Sequence, residues 1–163
     1  MAIQEFFDQT GEDQKVGVFN PLQVTSSLPG NVVSKSVAFT GAANLGAVGT
    51  VPFFTVTGDV LMRLFAICTE SLVSAGGCTR EAGYTLDTDA LIAQTTATDI
   101  DINEIWKDAS PDASMGDISA LPLIPVMNGQ DIIGTVGTGD ITDGTIIIYC
   151  LWIPLSATAN VVA

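Results

Sequence analysis

Side chains that branch at Cβ dominate this sequence, and they recur in short runs between glycines and prolines. There are 18 Thr, 15 Val and 15 Ile, together 48 of 163 residues, and 16 Gly and 7 Pro interrupt them. Branching at Cβ restricts χ1 and favours the extended, pleated backbone of a strand. No segment has the periodicity of a long amphipathic helix. The sequence therefore predicts an all-β domain, an antiparallel sandwich or a small barrel.

Several segments have the length and spacing of strands, and their residues run 34–40, 50–57, 60–68, 78–86 and 118–126. Segment 60–68 is apolar on both faces apart from Arg63, which is typical of a central strand or of a subunit contact. Segments 131–138 and 144–153 are predicted to form the clearest antiparallel pair, because turn residues join them. Segment 87–94 fits a short strand or one helical turn.

Residues 1–33 differ from the rest of the chain, because isolated apolar residues are scattered among Gln, Asn, Ser and Pro. A solvated tail gains nothing from Phe6 and Phe7, so we expect an extended N-terminal arm that docks on another surface. Its candidate anchors at an interface are Phe6, Phe7, Phe19 and Leu22. The alternative is a disordered tail. A β-sandwich domain is predicted over residues 34–163. The N-terminus has no basic and apolar regions of a secretory signal.

The charge balance excludes several classes of function. The chain has 18 Asp and Glu against 5 Lys and Arg, a net charge of −13, and no His. Nucleic acid and anionic lipid both need a basic surface, so neither is an expected partner. Without His there is no Ser-His-Asp triad and no imidazole metal site. The longest apolar run, 146–153, is too short to span a bilayer. The sequence predicts no enzyme, no cofactor and no metal ligand.

The acidic stretch 99–104 imitates a calcium-binding loop without completing it. Asp99, Asp101 and Asn103 have the spacing of an EF-hand loop, but Glu104 and Ser110 replace its glycine and its bidentate Glu. The interpretation we favour is a strand with Ile100 and Ile102 pointing inward and the acids in solvent.

The cysteines, which are Cys68, Cys78 and Cys150, are predicted to be buried free thiols, with a Cys68–Cys78 disulfide as the minor alternative. Trp152 is predicted in the core or at a subunit interface, and Trp106 as a contact residue in a polar stretch.

Segments 90–100, 104–113, 128–136 and 149–155 resemble small virion proteins of tailed bacteriophages, of which capsid decoration proteins are the best-understood comparison. The resemblance implies a jelly-roll-like subunit that forms homotrimers on the outer face of an icosahedral head. It further implies synthesis in the host cytoplasm, the major capsid protein as partner, and a stabilising role without catalysis. The alternatives are a virion fibre or receptor- and glycan-binding module, a tail or connector component, and, least favoured, a hydrolase.

Overall fold

The computed structural model describes residues 30–114, 116 and 120–163, and strands make up most of them. The ten strands are β1 (Asn31–Ala38), β2 (Gly49–Thr57), β3 (Val60–Ser74), β4 (Thr79–Tyr84), β5 (Asp87–Thr96), β6 (Ile105–Trp106), β7 (Ile124–Val126), β8 (Ile132–Gly137), β9 (Ile141–Pro154) and β10 (Asn160–Val162). A 3-10 turn covers Ala97–Asp99, and the described residues contain no helix long and apolar enough to cross a bilayer.

The strands form two antiparallel sheets. In the first sheet the order is β1-β9-β3-β6, with β7 also paired to β3. In the second sheet the order is β10-β2-β8-β4-β5. The prediction of an all-β sandwich is confirmed.

The core lies between the two sheets, and the side chains of the central strand β3 alternate between the core and the outer side over Val60–Cys68. In β3, Val60, Met62, Leu64 and Ala66 are buried, and the residues that alternate with them are half-buried. Ile146 and Ile148 of β9 and Ile132 of β8 complete the same core from both sheets. Residues of one parity therefore fill the interior, and residues of the other parity form the outer faces of the sandwich.

The predicted pairing of segments 131–138 and 144–153 is wrong. The segments are the strands β8 and β9, but β8 pairs with β2 and β4, and β9 pairs with β1 and β3. The turn residues between them carry the chain from one sheet to the other, where the N–H of Ile141 donates to the carbonyl of Gly46 at 2.8 Å. Turn chemistry marks a reversal of direction but does not choose the sheet that the next strand joins.

The region 97–104 is not the strand that alternation predicted. A 3-10 turn covers Ala97–Asp99, and Asn103 has a φ of 71°, in the left-handed region that a turn needs. Ile100 is fully buried as expected, but Ile102 is 54% exposed, so its predicted inward orientation is wrong. Segment 87–94, which fitted a strand or a helical turn, belongs to strand β5.

Strand β1 begins at Asn31, so three residues of segment 1–33 belong to the first sheet. The remaining arm lies outside the described residues except for Gly30, and so do all four of its candidate anchors, Phe6, Phe7, Phe19 and Leu22.

All three cysteines are buried and free, which confirms the prediction of thiols and not the alternative disulfide. Burial raises the pKa of the Cys150 thiol to about 12. The same cause raises the pKa of Cys68. These side chains therefore act as small apolar residues in the core, and Cys150 Sγ lies 3.9 Å from Met62 Sδ.

One end of the sandwich is closed by carboxylate and amide side chains. Asp131 Oδ1 accepts a hydrogen bond from the N–H of Val56 at 3.1 Å, and Asn128 Oδ1 accepts one from Gly58 at 2.8 Å. Asp59 Oδ1 in turn accepts from the N–H of Asn128 at 3.0 Å. The β2–β3 turn is thereby fixed to the loop between β7 and β8.

Candidate functional site

The outer side of the first sheet is apolar, and its residues are mostly half-buried, with Leu151 at 4% exposure and Ile153 at 39%. Antiparallel sheets that face water normally alternate apolar and polar residues. On β3 and β9 the outward side chains between Leu61 and Ile67 are apolar as well, apart from Arg63. We call this surface the apolar face and define it by Leu61, Phe65, Ile67, Ile147, Tyr149 and Ile153.

Strand register brings these side chains into rows across the sheet. Leu61 lies opposite Ile153, Phe65 opposite Tyr149, and Ile67 opposite Ile147. Directly opposite residues in an antiparallel pair point to the same side. The rings of Phe65 and Tyr149 are stacked with centroids 5.1 Å apart and planes inclined by 13°. The centre of the face is therefore a rigid aromatic pair.

The apolar face carries very little charge. Arg63 lies between Leu61 and Phe65 on β3, and it is the one charged residue on the outward side of the described strands β1, β9 and β3 between those rows. The carboxylates that flank these rows along β3 are Asp59, just before the strand, and Glu70 within it. In a chain with a net charge of −13, this is a surface that an acidic neighbour can approach without like-charge repulsion.

The outer surface of the second sheet has the opposite character. Thr50, Thr135 and Glu81 form a row across β2, β8 and β4. Glu81 accepts hydrogen bonds from Thr88 Oγ1 at 2.6 Å and from Gln94 Nε2 at 3.1 Å. This row is polar and carries a carboxylate, unlike the rows of the apolar face.

Neither predicted tryptophan contact lies on the apolar face. Trp106 is predicted as a contact residue, but it is 0% exposed and lies in the core of the described chain. It follows Ile105 in β6, and the alternation of that short strand turns the indole inward. Trp152 is 9% exposed, also on the core side, opposite Met62.

A buried arginine is the feature that sequence reasoning missed. Arg80 is 0% exposed, and its guanidinium carbon lies 4.4 Å from the ring centroid of Phe39, 4.9 Å from that of Trp106 and 5.4 Å from that of Phe53. Burial lowers the pKa of Arg80 to about 9, so it remains a cation at neutral pH.

The alternation of residues along β4 could have predicted that Arg80 points inward. Cys78 and Ala82, two residues to either side of Arg80, are fully buried, so alternation places its side chain on the same inward side. The guanidinium nitrogens have no hydrogen-bond partner among the described residues, and the three rings supply the stabilising contacts. We call Arg80 and these three rings the aromatic cage, and it lies in the core without access to solvent.

The acidic stretch 99–104 does not form a cation site. Within the part of the chain that the structure describes, no group of three Asp, Glu or Cys side chains could hold a metal ion. Glu104 Oε2 instead accepts a hydrogen bond from the N–H of Asp101 at 2.9 Å, which closes the turn.

A cavity of about 550 Å³ lies beside β5, and Leu91, Leu121, Lys107 and Asp89 are among its lining residues. Lys107 is held by Asp112 at 2.9 Å, and this contact lowers the pKa of Asp112. A hydrogen bond with Asp89 raises the pKa of Asp87, but both carboxylates are exposed. A glycosidase acid owes its raised pKa to burial, so this pair lacks the environment of a hydrolase site.

Comparisons of the chain with protein-family models, with curated proteins and with solved structures found no match.

Proposed function

We propose that this chain is a non-enzymatic virion structural protein, a decoration protein that binds the outer face of an icosahedral phage head and stabilises it. The observation that carries the proposal is the two-sided sandwich. The apolar face offers a surface for burial against neighbours, and the second sheet offers the polar row of Thr50, Thr135 and Glu81 as a surface that remains in water. A protein that coats a particle needs both.

The pairing of the strands supports a jelly roll in particular. β1 pairs with β9, β2 with β8, β3 with β6 and β7, and β4 with β5. The first half of the chain thus pairs with the second half in reverse order, like one long hairpin. Rolling this hairpin brings β9 beside β3 and β8 beside β4, which gives the two observed sheets. Viral capsid domains are among the proteins built in this way.

The proposed mechanism is thermodynamic linkage. A protein that binds the assembled shell, and not its separated subunits, stabilises the shell by about 2.7 kcal/mol per site at 100 times its Kd. The partner is the major capsid protein. Copies of the chain assemble with one another on the shell as homotrimers, the oligomeric state that the resemblance implies. Many weak contacts then act together on one particle.

The burial of Trp106 bears on the alternative of a fibre or glycan-binding module. Such a module is expected to present an exposed aromatic platform, and Trp106 is the candidate that its polar neighbours suggest. With that residue in the core, the observations favour the decoration role. A tail or connector component would bind a different part of the particle, which a particle-binding experiment distinguishes.

The test uses phage particles that lack this protein. Purified full-length chain is added in increasing amounts, and the particles are sedimented. We expect saturable binding to heads, and an increase in the temperature at which the heads release DNA. Binding to isolated tails alone, or no binding to any particle, would contradict the proposal.

The predicted arm is tested in the same assay. Phe6→Ala combined with Phe7→Ala in the full chain is expected to weaken head binding at least tenfold and to leave the β-sheet circular dichroism unchanged. A double variant that saturates heads at the wild-type concentration would refute the role of these anchors.

A further inference from the structure

Strand β1 ends the order of the first sheet, so its far edge pairs with no described strand. Just after β1, the N–H of Phe39 donates to the carbonyl of Gly144 at 2.8 Å. The pairing of β1 with β9 has no register shift, so the N–H groups of Val32, Ser34 and Ser36 point away from β9. All three residues are exposed. The edge of β1 therefore presents a row of backbone donors and acceptors to which a further strand can bind.

An apolar cavity of about 400 Å³ lies beside this edge, between β1 of the first sheet and β2 of the second. We call it the β1 groove and define it by Lys35, Val37, Leu45 and Val51. On the second sheet, β10 pairs only with Thr55–Thr57 of β2 and stops short of the part that lines the groove. A strand added to β1 would cover the groove with the side chains that it turns inward. Sites that bind a peptide as an extra strand have this combination of an unpaired edge and a pocket for alternate side chains.

Lys35 links the two sides of the groove. Its Nζ donates to the carbonyl of Pro52 in β2 at 3.0 Å, so the ammonium already has an acceptor. Lys35 is the one charged side chain among the described residues that line the groove. A segment that covers an apolar groove should itself be uncharged, because a carboxylate buried there would lack a partner.

An uncharged segment of the same chain ends directly beside this edge. Residues 1–29 lie outside the described residues, and β1 begins two positions later, at Asn31. The part nearest to β1, residues 16–30, contains no Asp, Glu, Lys or Arg. Because this segment is joined to β1 by a short connection, its effective concentration at the edge is about millimolar without any other molecule. A separate peptide would have to reach that concentration in solution to compete.

The sequence of this segment fits a strand with one apolar side and a turn after it. Leu22 and Val24 alternate with the polar residues Gln23 and Thr25, which is the period of a half-buried strand. The pair 29–30, Pro-Gly, then occupies the two positions where β-turns favour these residues. A turn with Pro at this position spreads the strands next to it, so we expect pairing over residues 22–26.

Reversal of the chain at this turn defines a register that matches the groove. Counting back from the turn places Val24 opposite Lys35 and Leu22 opposite Val37. Directly opposite residues point to the same side, so both apolar side chains enter the groove. The same count places Pro21, which has no N–H, opposite the last residue of β1, so the ladder ends where β1 ends.

We infer that residues 22–26 bind the edge of β1 as an added antiparallel strand, with Leu22 and Val24 in the β1 groove. This strand covers an edge that would otherwise pair with other chains. The inference goes beyond the proposed function and does not depend on it, because the contact lies within one chain. Residues 1–20 would then extend from the C-terminal end of β1 over at most roughly 70 Å, which allows Phe6 and Phe7 to reach a neighbouring protein.

The amide groups on the edge of β1 give the readout. The N–H groups of Ser34 and Ser36 exchange with solvent rapidly if nothing pairs with them, and slowly if the segment does. Their exchange rates are measured by NMR on the full chain at two concentrations that differ about tenfold. We expect both rates to be at least tenfold below those of an unstructured peptide, and equal at the two concentrations. Unprotected amides, or protection that rises with concentration because another copy supplies the strand, would overturn the inference.

Two double variants place the same charges on opposite sides of the added strand. Leu22→Asp with Val24→Asp puts both carboxylates into the groove, and Gln23→Asp with Thr25→Asp, the matched control, puts them outward. We expect the first variant to raise the exchange rate of the Ser34 amide to the unprotected value, and the control to change it by less than about threefold. The amides of β1 that point to β9 should stay protected in both variants. Equal effects of the two variants on Ser34 would contradict the register.

A disulfide tests the pairing directly. Thr25→Cys with Ser34→Cys joins directly opposite positions, whose Cα atoms are about 5.5 Å apart in an antiparallel pair and within disulfide range. Gln23→Cys with Ser34→Cys is the control, because diagonal positions are about 7–8 Å apart. The native cysteines are buried and do not compete. We expect mild oxidation to close the first disulfide within one chain at least tenfold faster than the second. Equal rates, or a disulfide between chains, would overturn the inference whether or not the chain binds phage heads.

Discussion

The buried cation of Arg80 gives the sharpest test of how charge burial and cation–π contacts contribute to the free energy of unfolding. Arg80 lies against three aromatic rings, and its guanidinium has no hydrogen-bond partner among the described residues. Arg80→Met keeps a long unbranched side chain in the same space and removes the charge. Buried charges that are replaced by apolar groups of similar volume often cost nothing.

The two opposing contributions can be estimated from the structure. Burial lowers the pKa of Arg80 from 12.5 to about 9. At about 1.4 kcal/mol per pKa unit, this corresponds to a desolvation cost of about 5 kcal/mol. Each desolvated cation–π contact contributes up to about 2 kcal/mol, so three rings return up to about 6 kcal/mol. The contributions nearly cancel, and Arg80→Met should change the free energy of unfolding by less than about 2 kcal/mol.

A double-mutant cycle separates the cation–π contact from packing. Phe39→Leu should destabilise the wild type by about 3 kcal/mol, because it loses both ring packing and the nearest cation–π contact. In the Arg80→Met background only the packing loss remains, so the coupling energy should be about 2 kcal/mol. Phe54→Leu is the control, because Phe54 is equally buried but is not one of the three rings that contact the guanidinium.

The assay is urea unfolding at neutral pH, followed by circular dichroism and tryptophan fluorescence, with coincident transitions as the condition for a two-state analysis. A coupling energy below about 0.5 kcal/mol between Arg80 and Phe39 would refute the cage. Destabilisation by Arg80→Met of more than about 4 kcal/mol would show that the cation has a strong partner besides the rings.

Three further outcomes follow from the packing. Gly134→Ala should destabilise by about 1–3 kcal/mol, since its Cβ would overlap the ring of Phe53, and Gly30→Ala, which meets nothing within 4 Å, should be neutral in the same melts. No thiol should react with a disulfide reagent in the native protein within minutes, and all three should react in urea; rapid native labelling of Cys150 would contradict its raised pKa. Asp131→Ala should lower stability by about 1–2 kcal/mol, because an N–H of β2 loses its acceptor; an unchanged urea midpoint would refute that role.

The fold class could be predicted from composition because β-branched residues have few alternatives to a strand. Strand β3 is predictable for the same reason, and its apolar character on both sides predicts a central strand or a subunit contact; the structure places it centrally, between β9 and β6. The pairing of β8 with β2 and of β9 with β1 and β3 could not be predicted. Such contacts join residues that are far apart in sequence, and local turn chemistry carries no information about them.

For individual side chains too, local sequence predicts the side of the strand but not the long-range contacts. Alternation over two residues could place Arg80 inward, but its aromatic partners come from β2, β6 and the residue after β1, which only the fold brings together. The prediction for Ile102 is wrong because a turn at Asn103 breaks the strand periodicity on which it depends. The prediction for Trp106 rests on the polarity of its neighbours, and a two-residue strand is enough to bury it.

The central claim is that the apolar face of the first sheet is buried when the chain is in its working assembly. The two tyrosines of the chain allow a direct measurement, because Tyr149 lies on that face and Tyr84 lies in β4 of the second sheet. Nitration of each ring is quantified by mass spectrometry for the dilute protein and for the protein bound to phage heads. The account predicts that nitration of Tyr149 falls at least tenfold on the heads while that of Tyr84 is unchanged. Equal nitration of Tyr149 in both states would contradict it.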